Sequence, residues 1–506
     1  MAPSDDGGHI VMLPFMAHGH LIPFLALARR IQRRSRFTIT IASTPVNVRR
    51  LRSTAMADPT LKAINFAELA FDPSAHGLPS NTENTENMPL TQMVDLCYAS
   101  LSLRAPLESL VANITCREDG RPPVCIISDF FFGWAADVAK AFGTRNYTFT
   151  TCGAYGTSAY VSMWLHLPHR GMESGKFIVP AFPERCLFDK SHLVGMIREA
   201  DGDDVWSRFL RPQFELTLNS SGWLCNTSEE FEPLGTAALR NLVKRPVWTI
   251  GPLLPDAIVR NDDSSDSSTS ISEHRPGKPL GIAPERCVEF LDEHPPGSVV
   301  YVCFGSQNTI TESNMKELAA GLEASERPFI WVMRPPLGFD MGGEMRDEWL
   351  PPGFEKRVTR VDEKKKKKKK RGLLVRDWAP QLEILRHSST GAFLSHCGWN
   401  STLESLSQGV PIIGWPMAAE QAYNAKMMAE EMGVCVELAR GAAAEVSREE
   451  VRRAIEAAVG DAEGGKGKEL RERAMEAREK IRRAVTEGEG SSVKAMDEFL
   501  RNLVTS

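Results

Sequence analysis

A His, an Asn, a Ser and a Glu crowd one strand-to-helix junction, FLSHCGWNSTLES at 393–405. His396, Asn400 and Ser401 can hydrogen-bond an anion, and Glu404, one turn on, can accept from a pair of hydroxyls. Two readings compete. Ser401-Thr402-Leu403-Glu404 fits a capping box, in which the Ser caps a helix and the Glu reaches back to its start. A cap requires neither His396 nor Asn400. A helix start also presents outward N–H groups and the positive end of its dipole, so the stretch equally reads as a phosphate site with a carboxylate beside it. A second candidate lies in the turn PFMAHGH, where His18 and His20 flank Gly19. An imidazole that titrates near neutrality is suited to removing a proton from a hydroxyl.

The elements that must position these residues are visible as apolar runs alternating with helical patterns. In the first half the runs are 9–13, 37–43, 124–128 and 146–151. LIPFLALARRIQRR, between the first two, is apolar at three-to-four spacing with a basic end, as a helix C-terminus prefers. In the second half the runs are 299–304, 329–333, 373–378, 390–395, 411–415 and 434–438. Strands apolar throughout and joined by helices imply parallel sheets covered on both faces. NDDSSDSSTSISEHRPGKPLG (261–281) breaks this pattern and reads as a surface linker. The expected fold is therefore α/β, with two Rossmann-like doubly wound domains facing across a cleft and ligands at the carboxyl ends of the strands. The boundaries expected are 1–255 for the first domain, 256–281 for the linker and 282–483 for the second. A last helix, 484–506, is expected to pack back on the first domain.

Bulk properties exclude several classes. The 506 residues are 42% hydrophobic and 25% charged, which fits an ordinary globular chain with ample core. A net charge of −5 gives no basis for nucleic-acid binding. The ten cysteines form no C-x-x-C pair, which argues against a zinc ribbon or redox dithiol. No basic n-region precedes the first apolar run, and no stretch approaches 18 apolar residues, so a cytoplasmic chain without a membrane span is expected. The run Lys364–Lys370 reads as a solvated inserted loop. Gly460–Gly467 only approaches a P-loop, lacking the Ser or Thr and following a helix. A dinucleotide-binding glycine fingerprint is absent from the first turn.

Extended both ways, the opening stretch becomes WAPQLEILRHSSTGAFLSHCGWNSTLESLSQGVPIIGWPMAAEQ, Trp378 to Gln421. It closely resembles the signature box of plant family-1 UDP-glycosyltransferases, enzymes of the two-domain GT-B architecture. PFMAHGHLIP, ISDFFFGWAADVA, the FGS turn and WTIGPLLP extend the resemblance over most of the chain. It implies that Trp378 stacks on uracil while Ala379, through its backbone, and Gln381 meet the base edge. It implies that Glu404 holds the ribose, that His396, Asn400, Ser401 and Ser306 meet the diphosphate, and that Trp399, Glu420 and Gln421 meet the sugar. In the family pattern P-x-x-x-G-H-x-x-P, closed here by Pro23, the His after the glycine is the base, which favours His20 over His18. Asp129, at the end of VCIIS, resembles its carboxylate partner, although it could equally cap a helix.

The resemblance implies an inverting displacement by a deprotonated acceptor hydroxyl, with UDP-glucose as donor because Gln stands at 421. Galactose, xylose and rhamnose remain as alternatives, as does a silent nucleotide-sugar binding protein. No D-x-D motif stands at a strand end, so neither metal nor cofactor is expected. The acceptor implied is a small hydrophobic hydroxylated molecule, such as a flavonoid, another phenolic or a terpenoid. Phe15, Phe130, Trp134 and Tyr155 are candidates to line its pocket. The chain is expected to act as a monomer.

Overall fold

The computed structural model describes residues 7–86, 88, 92–172, 175–260, 280–359, 370–460 and 465–505. The chain divides into two compact units. The first comprises the chain to Pro255 together with the segment from Arg483 onward; the second runs up to Arg482. Positions 261–279 of the expected linker and Lys364–Lys369 of the lysine run lie outside the described residues.

The first unit is built on seven strands: β1 His9–Leu13, β2 Thr38–Ser43, β3 Ile64–Glu68, β4 Cys125–Asp129, β5 Arg145–Thr150, β8 Trp223–Cys225 and β9 Val247–Thr249. A small antiparallel pair, β6 Lys176–Ile178 and β7 Leu187–Asp189, stands apart from them. The large sheet is parallel throughout, in the order β3-β2-β1-β4-β5-β8-β9. The order in which strands are added to the sheet reverses between β1 and β4, which are parallel and pair Met12 with Ile127 and Leu13 with Ser128. Such a reversal leaves an opening at the carboxyl ends of the two strands. The helix His18–Arg34 follows β1, and its buried Leu21, Phe24, Leu25 and Ile31 cover one face of the sheet.

The final helix, Ser491–Thr505, belongs to this same core. Met496, Phe499, Leu500 and Leu503 are buried there, and the Phe499 ring meets Tyr147 and Trp248 edge-on. The Tyr147 hydroxyl donates to Asn502 Oδ1 at 2.7 Å.

The second unit repeats the plan with β10 Val299–Cys303, β11 Phe329–Met333, β12 Gly372–Arg376, β13 Thr390–Ser395, β14 Ile412–Gly414 and β15 Cys435–Glu437. All pairings are parallel, in the order β12-β11-β10-β13-β14-β15, so here the reversal falls between β10 and β13.

Three local expectations change. β3, β8 and β9 were not among the expected strands. β3 is a half-exposed edge, and β8 and β9 are three residues each, too short to carry a period. The expected linker opens with a helix, Asp256–Arg260, because Ile258 and Val259 are buried; the Ile258 carbonyl accepts from Gln408 Nε2 at 3.0 Å. Ser401 does not cap its helix. The helix Trp399–Ser407 starts from Gly398, whose extended backbone (φ −64°, ψ 142°) sets the start two residues ahead of Ser401. A true capping box does occur elsewhere, between Ser447 and Glu450.

Candidate functional site

In the first unit, the β1/β4 reversal brings two distant residues together. His20 lies in the first turn of the helix after β1, and Asp129 ends β4. His20 Nδ1 stands 2.6 Å from Asp129 Oδ2. The carboxylate is fully buried, while the imidazole keeps 16% of its surface. Asp129 Oδ1 also accepts the Phe131 backbone N–H at 3.1 Å, so the carboxylate orients the imidazole and closes the turn after its own strand. Thr151 Oγ1, just past β5, lies 3.3 Å from the same ring nitrogen. With Asp129 as acceptor the proton sits on Nδ1, which makes Nε2 the basic nitrogen.

Aromatic rings surround this imidazole. Phe15 meets it edge-on at 5.4 Å and Phe130 stacks on it at 6.3 Å. Phe131, which the sequence did not single out, lies 5.8 Å away and is the least buried of the three. The other two expected pocket residues have these neighbours. Trp134 is buried one layer further out, against Phe132. Tyr155 is a core residue: it is fully buried, its hydroxyl meets Cys186 Sγ at 3.2 Å and its ring packs edge-on against Phe182.

His18 has other company. It is buried, with Nε2 at 2.9 Å from an Arg50 guanidinium nitrogen, and Arg50 pairs in turn with Glu86. The Asn and Glu residues of the segment 83–86 tie that loop to Val46, Asn47 and Arg50.

In the second unit, the expected donor residues gather around the β10/β13 reversal. Ser306 lies in the turn after β10, and His396 directly follows β13. Gly305 in that turn takes φ +75°, and a Cβ there would come within 2.6 Å of the His396 ring, so the position needs glycine on both counts. Trp399, Asn400 and Ser401 are the first three residues of their helix. Its first i→i−4 bond runs from Thr402 to Gly398, so the N–H groups ahead of it point out of the helix start, where an anion is stabilised.

Glu404 is buried. Its Oε2 accepts from Gln381 Nε2 at 2.6 Å, while the same amide reaches Ser401 Oγ at 3.2 Å. The Tyr301 hydroxyl holds the other end of Gln381 at 3.2 Å. Ala379 is buried and Trp378 half-buried just past β12. Gln421 Oε1 accepts the N–H groups of Met417 and Ala418 at 2.9 and 3.0 Å, so its amide NH2 is the end available to a ligand. Glu420 Oε1 accepts from Asn424 at 3.2 Å.

His396 is nearly fully buried, and burial, assisted by the nearby Arg334 charge, pushes its pKa down to about 4. It is a neutral hydrogen-bonding group near neutral pH. Among the described residues no three His, Cys, Asp or Glu side chains group as a metal site, and no helix is long and apolar enough to cross a membrane.

Comparison with known proteins places this geometry. Residues 269–466 match the family described as UDP-glucoronosyl and UDP-glucosyl transferase, and residues 8–255 match the glycosyltransferase N-terminal domain. The chain is 41% identical to UDP-glycosyltransferase 92A1 of Arabidopsis thaliana over 97% of its own length and 96% of that protein's. It is also 41% identical to crocetin glucosyltransferase 3 of Crocus sativus, over 90% and 91% of the two chains. The crystal structure of Glycyrrhiza uralensis UGT73P12 with glycyrrhetinic acid 3-O-monoglucuronide superposes with a TM-score of 0.79, at 25% identity, covering 98% and 96% of the chains.

Proposed function

The chain belongs to the plant family-1 UDP-glycosyltransferases, and from that premise we propose that it transfers glucose from UDP-glucose to a hydroxyl of a small lipophilic acceptor, with inversion. The observation that carries this reading is the 2.6 Å contact between His20 and a fully buried Asp129, ringed by Phe15, Phe130 and Phe131. A hydrophobic acceptor docks on the aromatic side chains and presents a hydroxyl to Nε2 of His20. His20 takes the proton as the acceptor oxygen bonds to the anomeric carbon, and the Asp129 carboxylate stabilises the resulting imidazolium. The anomeric bond to the β-phosphate breaks with its electron pair on the leaving UDP, and a β-glucoside forms from an α-linked donor.

In this reading the second unit holds the donor. Trp378 stacks on uracil, Ala379 and Gln381 meet its edge, and Glu404 takes the ribose hydroxyls. Ser306, His396, Asn400, Ser401 and the helix start hold the diphosphate. Trp399, Glu420 and the amide NH2 of Gln421 meet the sugar. No metal or cofactor takes part. The acceptor class follows the aromatic surround of His20, and crocetin glucosyltransferase 3 is one relative named for a small-molecule acceptor.

UDP release is to be measured across UDP-glucose, UDP-galactose, UDP-xylose and UDP-rhamnose with a phenolic and terpenoid panel, products being identified by mass spectrometry and NMR. UDP-glucose is expected to give the highest kcat/KM and a β-linked product. A preference for UDP-galactose would overturn the reading of Gln421, and an α-linked product would overturn the single displacement.

A further inference from the structure

β11 ends at Met333, and the next residue, Arg334, lies outside the signature stretch altogether. Its guanidinium stands over the Trp378 ring, with Cζ 6.0 Å from the ring centroid. It also lines a pocket with Gly305, Asn308 and Trp331. Gly305 carries the His396 ring against its backbone, so Arg334, Trp378 and His396 share one neighbourhood. Three buried polar atoms there lack a hydrogen-bond partner among the described residues: Arg334 Nη1, Asn308 Oδ1 and His396 Nδ1. Buried donors and acceptors left unmet are uncommon in native proteins and point to a ligand or water that completes them.

Charge narrows the choice. Burial, assisted by the Arg334 charge, holds His396 neutral, so this imidazole brings no positive charge to an anion near neutral pH. A guanidinium stays charged, and its planar fork of donors matches phosphate oxygens. The helix start adds partial positive charge, but no full cation.

We propose that Arg334 is the cation that meets the donor diphosphate, using its face against Trp378 and its Nη1 edge on a phosphate oxygen. The proposal rests on the reading of this unit as the UDP-sugar site. As the anomeric C–O bond breaks, its electron pair passes to the β-phosphate, which gains one negative charge. Arg334 stabilises that charge, and His396 assists as a neutral hydrogen-bond donor.

The test is titration calorimetry of the full-length protein with UDP and, separately, with uridine, for wild type, R334Q and R334K, with thermal melts run alongside. R334Q is expected to weaken UDP by about tenfold to a hundredfold while uridine stays within about twofold. R334K, which keeps the charge without the fork, is expected to recover part of the loss. Equal losses for UDP and uridine in both variants would show that Arg334 serves only the Trp378 stack or the fold, and would overturn the proposal. Unchanged UDP affinity in R334Q would overturn it as well. A wild-type protein that binds uridine and UDP equally, or neither, would instead remove the UDP-sugar reading on which it rests.

Discussion

His20 and His396 hold corresponding places in two similar units. Each follows a strand beside the reversal point of a parallel sheet, and each stands at or just ahead of the start of a helix. Their surroundings differ in sign. His20 faces a buried carboxylate at 2.6 Å and keeps a partly open ring. His396 is the more deeply buried, at 9% exposure, and the nearby charged group is a guanidinium. One doubly wound plan thus yields two kinds of imidazole. A carboxylate partner holds the first in one orientation, while burial, assisted by a cationic neighbour, holds the second neutral as a hydrogen-bond donor. The difference comes from how deeply each ring is buried and from the side chain placed beside it, not from the fold position.

The sharpest way to break this contrast is to remove the imidazole proposed as the base. His20→Ala is expected to lower kcat by about a thousandfold and to leave the UDP dissociation constant within about twofold. Unchanged product formation would show that the base is another group. Asp129→Asn keeps the shape of the partner and removes its charge, so kcat is expected to fall by about a hundredfold, again with UDP binding intact. A loss of UDP affinity instead would give Asp129 a different part.

Smaller effects probe the donor unit. Glu404→Gln keeps a hydrogen-bonding group but removes the charge that both Gln381 and a ribose would use. A roughly tenfold weakening of UDP is expected, with His20-dependent steps unaltered. Measuring UMP and uracil as well locates the loss: it should persist with UMP and vanish with uracil.

The smallest effect concerns stability. The folded-state pKa of His396 lies below its ordinary value of 6.5, at about 4, so the unfolded chain binds more protons between those values. Stability from this group is complete above pH 6.5 and is lost as the pH falls toward 4. Between pH 6.5 and 5.5 the loss is about 1 kcal/mol. Melting temperatures of wild type and His396→Gln across this range should converge as the pH drops. Parallel curves would mean that His396 is not held neutral.

Much of this was legible in the residues. The apolar runs from β1, β4, β10 and β13 were strong because strands covered on both faces admit little else. His20, Asp129 and the stretch from Trp378 to Gln421 stood out because ordered polar residues at strand ends serve few structural needs. Short or half-exposed strands such as β8, β9 and β3 escaped notice, since three residues or a mixed edge carry no period. Phe131 was not singled out, because nearness to a strand end does not say which of three consecutive aromatic residues turns toward His20.

The sequence by itself determined the two-sheet plan, the polar cluster at each reversal point and the family. Tertiary structure alone decided which side chains meet. Gln381 came to bridge Glu404 and Ser401, the helix start moved ahead of Ser401 to Gly398, Phe131 joined the rings around His20, and Arg334 reached Trp378. The physical reason is that hydrophobic period and turn chemistry act over a few residues. These meetings depend instead on strand order and register, which bring together residues tens of positions apart and set the charge each one faces.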